Sequence, residues 1–116
     1  MSIRRVVPDI ASEALDESRA FYERLGFVEV MDLGWVVTLA SPTNPTAQVT
    51  LVTKDATAPV QADFSVEVED VDAVHATMLA SGATIVHPLQ DEAWGVRRFF
   101  VQDPSGKIVN VVSHRA

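Results

Sequence analysis

The chain has 116 residues, 47% hydrophobic and 22% charged, a length at which one domain buries roughly 60–70% of its unfolded surface without staples. It has no cysteine, which excludes disulfides, thiolate nucleophiles and thiolate metal sites. Nine Lys and Arg against sixteen Asp and Glu give a formal net charge of −7, which argues against a nucleic-acid partner and mildly favours a cationic small ligand.

No apolar run approaches the roughly 18–20 residues of a membrane span, and the opening MSIRRVVPDI has no signal-like apolar core. A cytoplasmic protein with no membrane partner is expected. Residues 3–7 read as a first strand, stopped by Pro8. Residues 15–25 read as a helix, with Asp16 and Glu17 in its first turn, Arg24 in its last, and Gly26 as the stop. Phe21 and Leu25 share its expected buried face, with Leu15 and Tyr22 beside them. Strands should follow at 27–32, 35–40 and 47–53, divided by Leu33-Gly34 and by SPTNPT.

Residues 54–61, KDATAPVQ, form a linker, and the order then restarts. Residues 63–69 alternate, with Phe64, Val66 and Val68 on one face and Ser65, Glu67 and Glu69 on the other. Asp70 caps an expected helix over 71–81, which buries Val71, Val74 and Met78 and ends at Gly82. Strands at 84–87, 96–102 and 107–113 complete the pattern, the last two joined by DPSG.

The two halves repeat one order, βαβββ. LDESRAFYERLGF, 15–27, falls on VDAVHATMLASGA, 71–83, superposing Leu15 on Val71, Asp16 on Asp72 and Gly26 on Gly82. The expected class is α+β, a single domain over 1–116 with repeats at about 3–54 and 62–114. A ferredoxin-like βαβ pattern is the rival, disfavoured by three consecutive strands after each helix.

With SRAFYERLGF at 18–27, VEVEDVDAVHATMLASGA at 66–83 and WGVRRFFVQDPSGKIVNVV at 94–112, the chain resembles the vicinal oxygen chelate superfamily. That group holds glyoxalase I, bleomycin-resistance proteins, extradiol dioxygenases, methylmalonyl-CoA epimerase and fosfomycin-resistance enzymes. The third string is similar to the WGxRxFxxxDPxG pattern of its bleomycin-resistance-like branch. The resemblance implies two βαβββ repeats forming curved mixed sheets around a concave pocket, a homodimer, and, in metal-dependent members, one divalent ion. Four side chains hold that ion, one each from the first and last strand of each copy.

Superposing the repeats puts those positions at Arg5, Thr50, Asp63 and Asn110; a short gap in the first loop would move Arg5 to Val7. Only Asp63 is an ordinary ligand for a divalent ion, and Arg5 carries a permanent positive charge. His75, His87 and His114 lie away from these positions. No metal and no cofactor is therefore expected.

If Asp63 faces the pocket, Ser65 and Glu67 accompany it, as do Ile108, Asn110 and Val112 on the closing strand and Gln48, Thr50 and Val52 in the first copy. An Arg5–Asp63 ion pair could replace the lost ion, or either residue could lie at a strand end in solvent. Trp35 and Trp94 either stack on a planar ligand or pack in the core or a dimer interface. Arg97 and Arg98 point to opposite faces of one strand, so one of them is a ligand candidate. Asp63 and Glu67 are the candidate bases. The expected function is metal-free binding of a small organic molecule, such as sequestration of an antibiotic or metabolite; the alternative is a metal-dependent glyoxalase-type lyase or isomerase, or a dioxygenase. Whether the protein is an enzyme stays open.

Overall fold

The computed structural model describes residues 2–115, in which eight strands and two helices alternate in a mixed α+β arrangement. The elements are β1 (Ile3–Ala11), α1 (Leu15–Leu25), β2 (Val28–Asp32), β3 (Val36–Ala40), β4 (Gln48–Val52), β5 (Phe64–Val68), α2 (Val71–Ala80), β6 (Thr84–Glu92), β7 (Val96–Gln102) and β8 (Ile108–His114). None of the described helices is long and apolar enough to cross a membrane.

The chain divides into two compact units. One spans Val7–Ala56; the other joins the residues up to Val6 to those from Thr57 onward. In the Val7–Ala56 unit the strand order is β2-β3-β4-β1, with β4 antiparallel to β3 and parallel to β1. In the second unit the order is β6-β7-β8-β5, with β8 antiparallel to β7 and parallel to β5. Each unit thus sets its first strand beside its fourth, the same topology twice.

Register also corrects the repeat alignment. Asp9 pairs with Thr50, and Ser65 pairs with Asn110. With Thr50 equivalent to Asn110, Asp9 is equivalent to Ser65, and the position matching Asp63 is the buried Val7 rather than Arg5. The offset between opening strands is then the one that relates the helices.

One strand runs past the proline expected to stop it, and another runs past its expected end. β1 continues through Pro8 to Ala11, and its paired rungs with β4 begin at Asp9, after the residue that lacks a donor. β6 continues through Pro88 to Glu92, and its ladder to β7 is irregular between His87 and Gln90.

Helix α1 buries a different stripe from the expected one. Leu15 and Tyr22 pack on the cluster Val37, Leu39, Val49 and Leu51, whereas Phe21 is 52% and Leu25 65% exposed. Seven residues is nearly two helical turns, so Leu15 and Tyr22 share a face that Phe21 and Leu25 do not. Gly26 closes the helix at φ 114°, a left-handed conformation suited to glycine, and its N–H reaches the Glu23 carbonyl at 3.0 Å. Beyond it, β2 is the outer strand of this unit, and its ladder to β3 shifts register between Glu29 and Met31. Arg19 of α1 reaches Glu29 at 3.3 Å and Asp32 at 3.4 Å.

Helix α2 starts as expected, with the Asp70 carboxylate accepting the Ala73 N–H at 3.1 Å. It buries Val71 and Val74 on Val68, Phe99, Val101 and Val111, and Val66 and Met78 pack at the margin. The odd-numbered residues of β7 and β8 and the even-numbered ones of β5 therefore face the helix, which leaves the opposite face of this sheet for polar groups.

Candidate functional site

The face of the second unit's sheet turned away from α2 carries Ser65 and Glu67 from β5, Asn110 and His114 from β8, and Arg98 and Phe100 from β7. Strand alternation selects them. Glu67 is the hub. Its Oε1 accepts from Arg5 Nε at 2.6 Å, and its Oε2 lies 2.6 Å from His114 Nδ1. Burial pushes the Glu67 carboxyl up, but the hydrogen bonds from His114 and Arg5 and the adjacent guanidinium charge outweigh it, so its pKa is lowered. His114 is half exposed, and its imidazole is oriented by the Glu67 carboxylate.

Next to this hub, Asn110 Nδ2 donates to Ser65 Oγ at 2.9 Å, while Asn110 Oδ1 is buried without a hydrogen-bond partner. That oxygen keeps an unmet acceptor.

A second cluster on the same sheet is closed. Arg98, Glu92 and His87 are all buried. Glu92 Oε1 lies 3.4 Å from Arg98 Nε and 3.3 Å from His87 Nε2, and it accepts from Gln90 Nε2 at 2.9 Å. Arg98 Nη2 donates to Thr57 Oγ1 at 3.0 Å, and His87 Nε2 lies 3.1 Å from the Thr57 carbonyl. The Arg98 guanidinium carbon sits 4.9 Å from the Trp94 ring centre and 4.9 Å from that of Phe100. This cluster pins the segment around Thr57 to the sheet.

The remaining candidates fall elsewhere. Asp63 is exposed, ahead of β5, and its Oδ2 accepts the Ile108 N–H at 2.7 Å. Of the two alternatives open for Arg5 and Asp63, Asp63 lies exposed at the strand end and Arg5 pairs with Glu67 instead. Arg97 lies on the helix side, bonded to Asp72 of α2 at 2.9 Å and to Asp91 at 3.3 Å. In the Val7–Ala56 unit, Thr50 shares a hydroxyl contact of 3.1 Å with the buried Thr38, Gln48 Nε2 donates to the Pro45 carbonyl at 2.7 Å, and the Trp35 carbonyl accepts from Thr53.

His114 and His87 were the residues sequence reasoning set aside. The alternation that links Asn110 to Val112 reaches His114 two residues later, and that step was the available signal. For His87 there was none: it lies on the expected strand 84–87, but its partners Glu92 and Thr57 lie beyond that strand's expected end and in the linker.

A profile of the Glyoxalase/Bleomycin resistance protein/Dioxygenase superfamily matches residues 3–111. The chain belongs to that superfamily. No curated protein sequence matches it. A superfamily member from Vibrio splendidus 12B01 superposes with a TM-score of 0.72 at 21% identity, over 97% of this chain and 99% of that one. Methylmalonyl-CoA epimerase from Mycobacterium tuberculosis gives 0.69 at 19% identity, over 98% and 88%. A structure described as NAD-dependent benzaldehyde dehydrogenase from Legionella pneumophila gives 0.78 at 16% identity, over 95% and 99%. These likenesses establish the fold.

The divalent ion of the metal-dependent relatives does not fit the residues present. Asp63 is tied to a backbone amide, Thr50 to Thr38 and Asn110 to Ser65, and the remaining position is Val7. Among the described residues, no three His, Asp or Glu side chains come together as a metal-binding group.

Proposed function

We propose that the protein binds a small organic molecule on the polar face of its second sheet, through its own side chains in place of a metal. The observation that carries this reading is the buried, unpartnered Asn110 Oδ1 beside the Arg5–Glu67–His114 cluster. Such an acceptor costs about 1–3 kcal/mol when nothing donates to it, so a ligand N–H or O–H aimed there gains that much in affinity. A planar, cationic antibiotic of the bleomycin kind suits the net acidic chain and the Trp94 ring at the margin of this face. Sequestration is the activity this supports. Two copies would work together, since pairing would cover the exposed Phe21, Leu25, Val28 and Val30.

Bleomycin titration of a Trp35→Phe variant, which leaves Trp94 as sole tryptophan, tests the reading. Saturable quenching that weakens about tenfold in Asn110→Ala supports it. No change at high micromolar ligand, or stoichiometric metal in protein purified without chelator, overturns it. Analytical ultracentrifugation tests the dimer separately.

A further inference from the structure

The other face of the same sheet has a cavity of its own. It lies between α2 and the strands, with a volume of about 770 Å³, inside the range of roughly 300–1,000 Å³ typical of small-molecule sites. Val66, Val68, Val101, Val109, Val111 and Met78 form its walls. α2 borders it through Val74 and Met78. The buried residues of α2 are Val71 and Val74, while Leu79 near its end is more than half exposed. Alternation separates this space from the polar face, since Val66 and Val68 point one way and Ser65 and Glu67 the other.

Three polar groups at its rim, Ser81, Gln102 and Asp103, are engaged within the protein. Ser81 Oγ donates to the Met78 carbonyl at 2.8 Å, and Gln102 Nε2 reaches the Gly106 carbonyl at 3.5 Å. Asp103 Oδ1 takes the Ser105 N–H, the Ser105 hydroxyl and the Lys107 N–H at 2.7–2.9 Å. The Ser105 hydroxyl above all, with the Lys107 amide, holds the Asp103 carboxyl below the usual carboxylate range, so the rim keeps a negative charge. A ligand would find aliphatic walls, one carboxylate at the mouth and a chain of net charge −7 around it.

We propose that this cavity binds an amphiphile with an aliphatic body and a cationic head, placing the body along Val66, Val109 and Val111 and the head beside Asp103. The site is independent of the polar face.

Dodecyltrimethylammonium, dodecyl sulfate and dodecyl maltoside, each below its micellar concentration, are titrated into the protein while methyl resonances are followed by NMR. Saturable shifts of Met78 and Val109 methyls are expected with the cationic probe, about fivefold tighter than with the neutral one, the size of a single exposed ion pair. The sulfate should bind more weakly still. Asp103→Asn should erase the preference, and Val109→Phe should abolish binding with the fold retained. Met78→Phe serves the same purpose if Val109→Phe does not fold. Equal binding of all three probes, shifts confined to Trp94 on the polar face, or methyl shifts that track protein concentration without probe would each overturn the proposal, the last by showing a second copy on this surface. Failure here leaves the bleomycin titration untouched, because the two readouts lie on opposite faces.

Discussion

Glu67 joins two side chains at once, Arg5 through Oε1 and His114 through Oε2, each at 2.6 Å. Because its folded-state pKa lies below its ordinary value of 4.5, the ionised form is favoured by folding. That contribution is complete above pH 4.5 and is lost as pH falls through the depressed value. Thermal unfolding scanned from neutral to acidic pH should show a fall in stability that Glu67→Gln flattens. At neutral pH the same variant should lose about 1–3 kcal/mol, from its charged hydrogen bonds.

Glu92 and Arg98 are a buried ion pair, and each is a liability without the other. Arg98→Met or Glu92→Leu alone should cost about 3–5 kcal/mol in urea denaturation, because an unpaired charge stays in the interior. The double variant should be more stable than either single one, and a strictly additive loss would refute the pairing.

The contact between Thr38 and Thr50 assigns Thr50 a partner within its own unit. Thr38→Val should lower stability by about 1 kcal/mol by stranding the Thr50 hydroxyl, as read from the urea midpoint. Bleomycin affinity should not change.

The two helices begin differently. Asp70 caps α2, whereas Ala14 at the start of α1 supplies no side-chain hydrogen bond. Asp70→Ala should cost about 1 kcal/mol, and Ala14→Asp should gain up to about 1 kcal/mol, both measurable by thermal melting.

Most of the fold was legible in the sequence because local signals agree with it. Gly26 and the acidic first turn bracket α1, Asp70 opens α2, and Phe64, Val66 and Val68 of β5 carry a period of two. Pro8 misled, because a missing N–H stops a strand only where the ladder needs that donor, and pairing is a non-local fact. The face of α1 was misjudged for a related reason. Phe21 and Leu25 satisfy helical spacing as well as Leu15 and Tyr22 do, and only the position of the sheet selects between them.

The candidate site was read less completely. Ser65, Glu67 and Asn110 were found by alternation, but their partners depend on the parallel register of β5 and β8, which brings His114 to Glu67 across 47 positions of chain. Arg5 was matched to the wrong acid through an alignment two residues out of step.

The shifted rungs of β2 between Glu29 and Met31 bear on how the chain behaves at high concentration. An outer strand with regular rungs is a template on which another polypeptide can zip and begin a filament. Here the offset breaks the spacing such an intruder would need, and acidic Glu29 and Asp32 add charge to the same rim. In a single copy the strand can leave Val28 and Val30 exposed without inviting fibre growth, and straightening that irregularity would be the change most apt to make the protein precipitate.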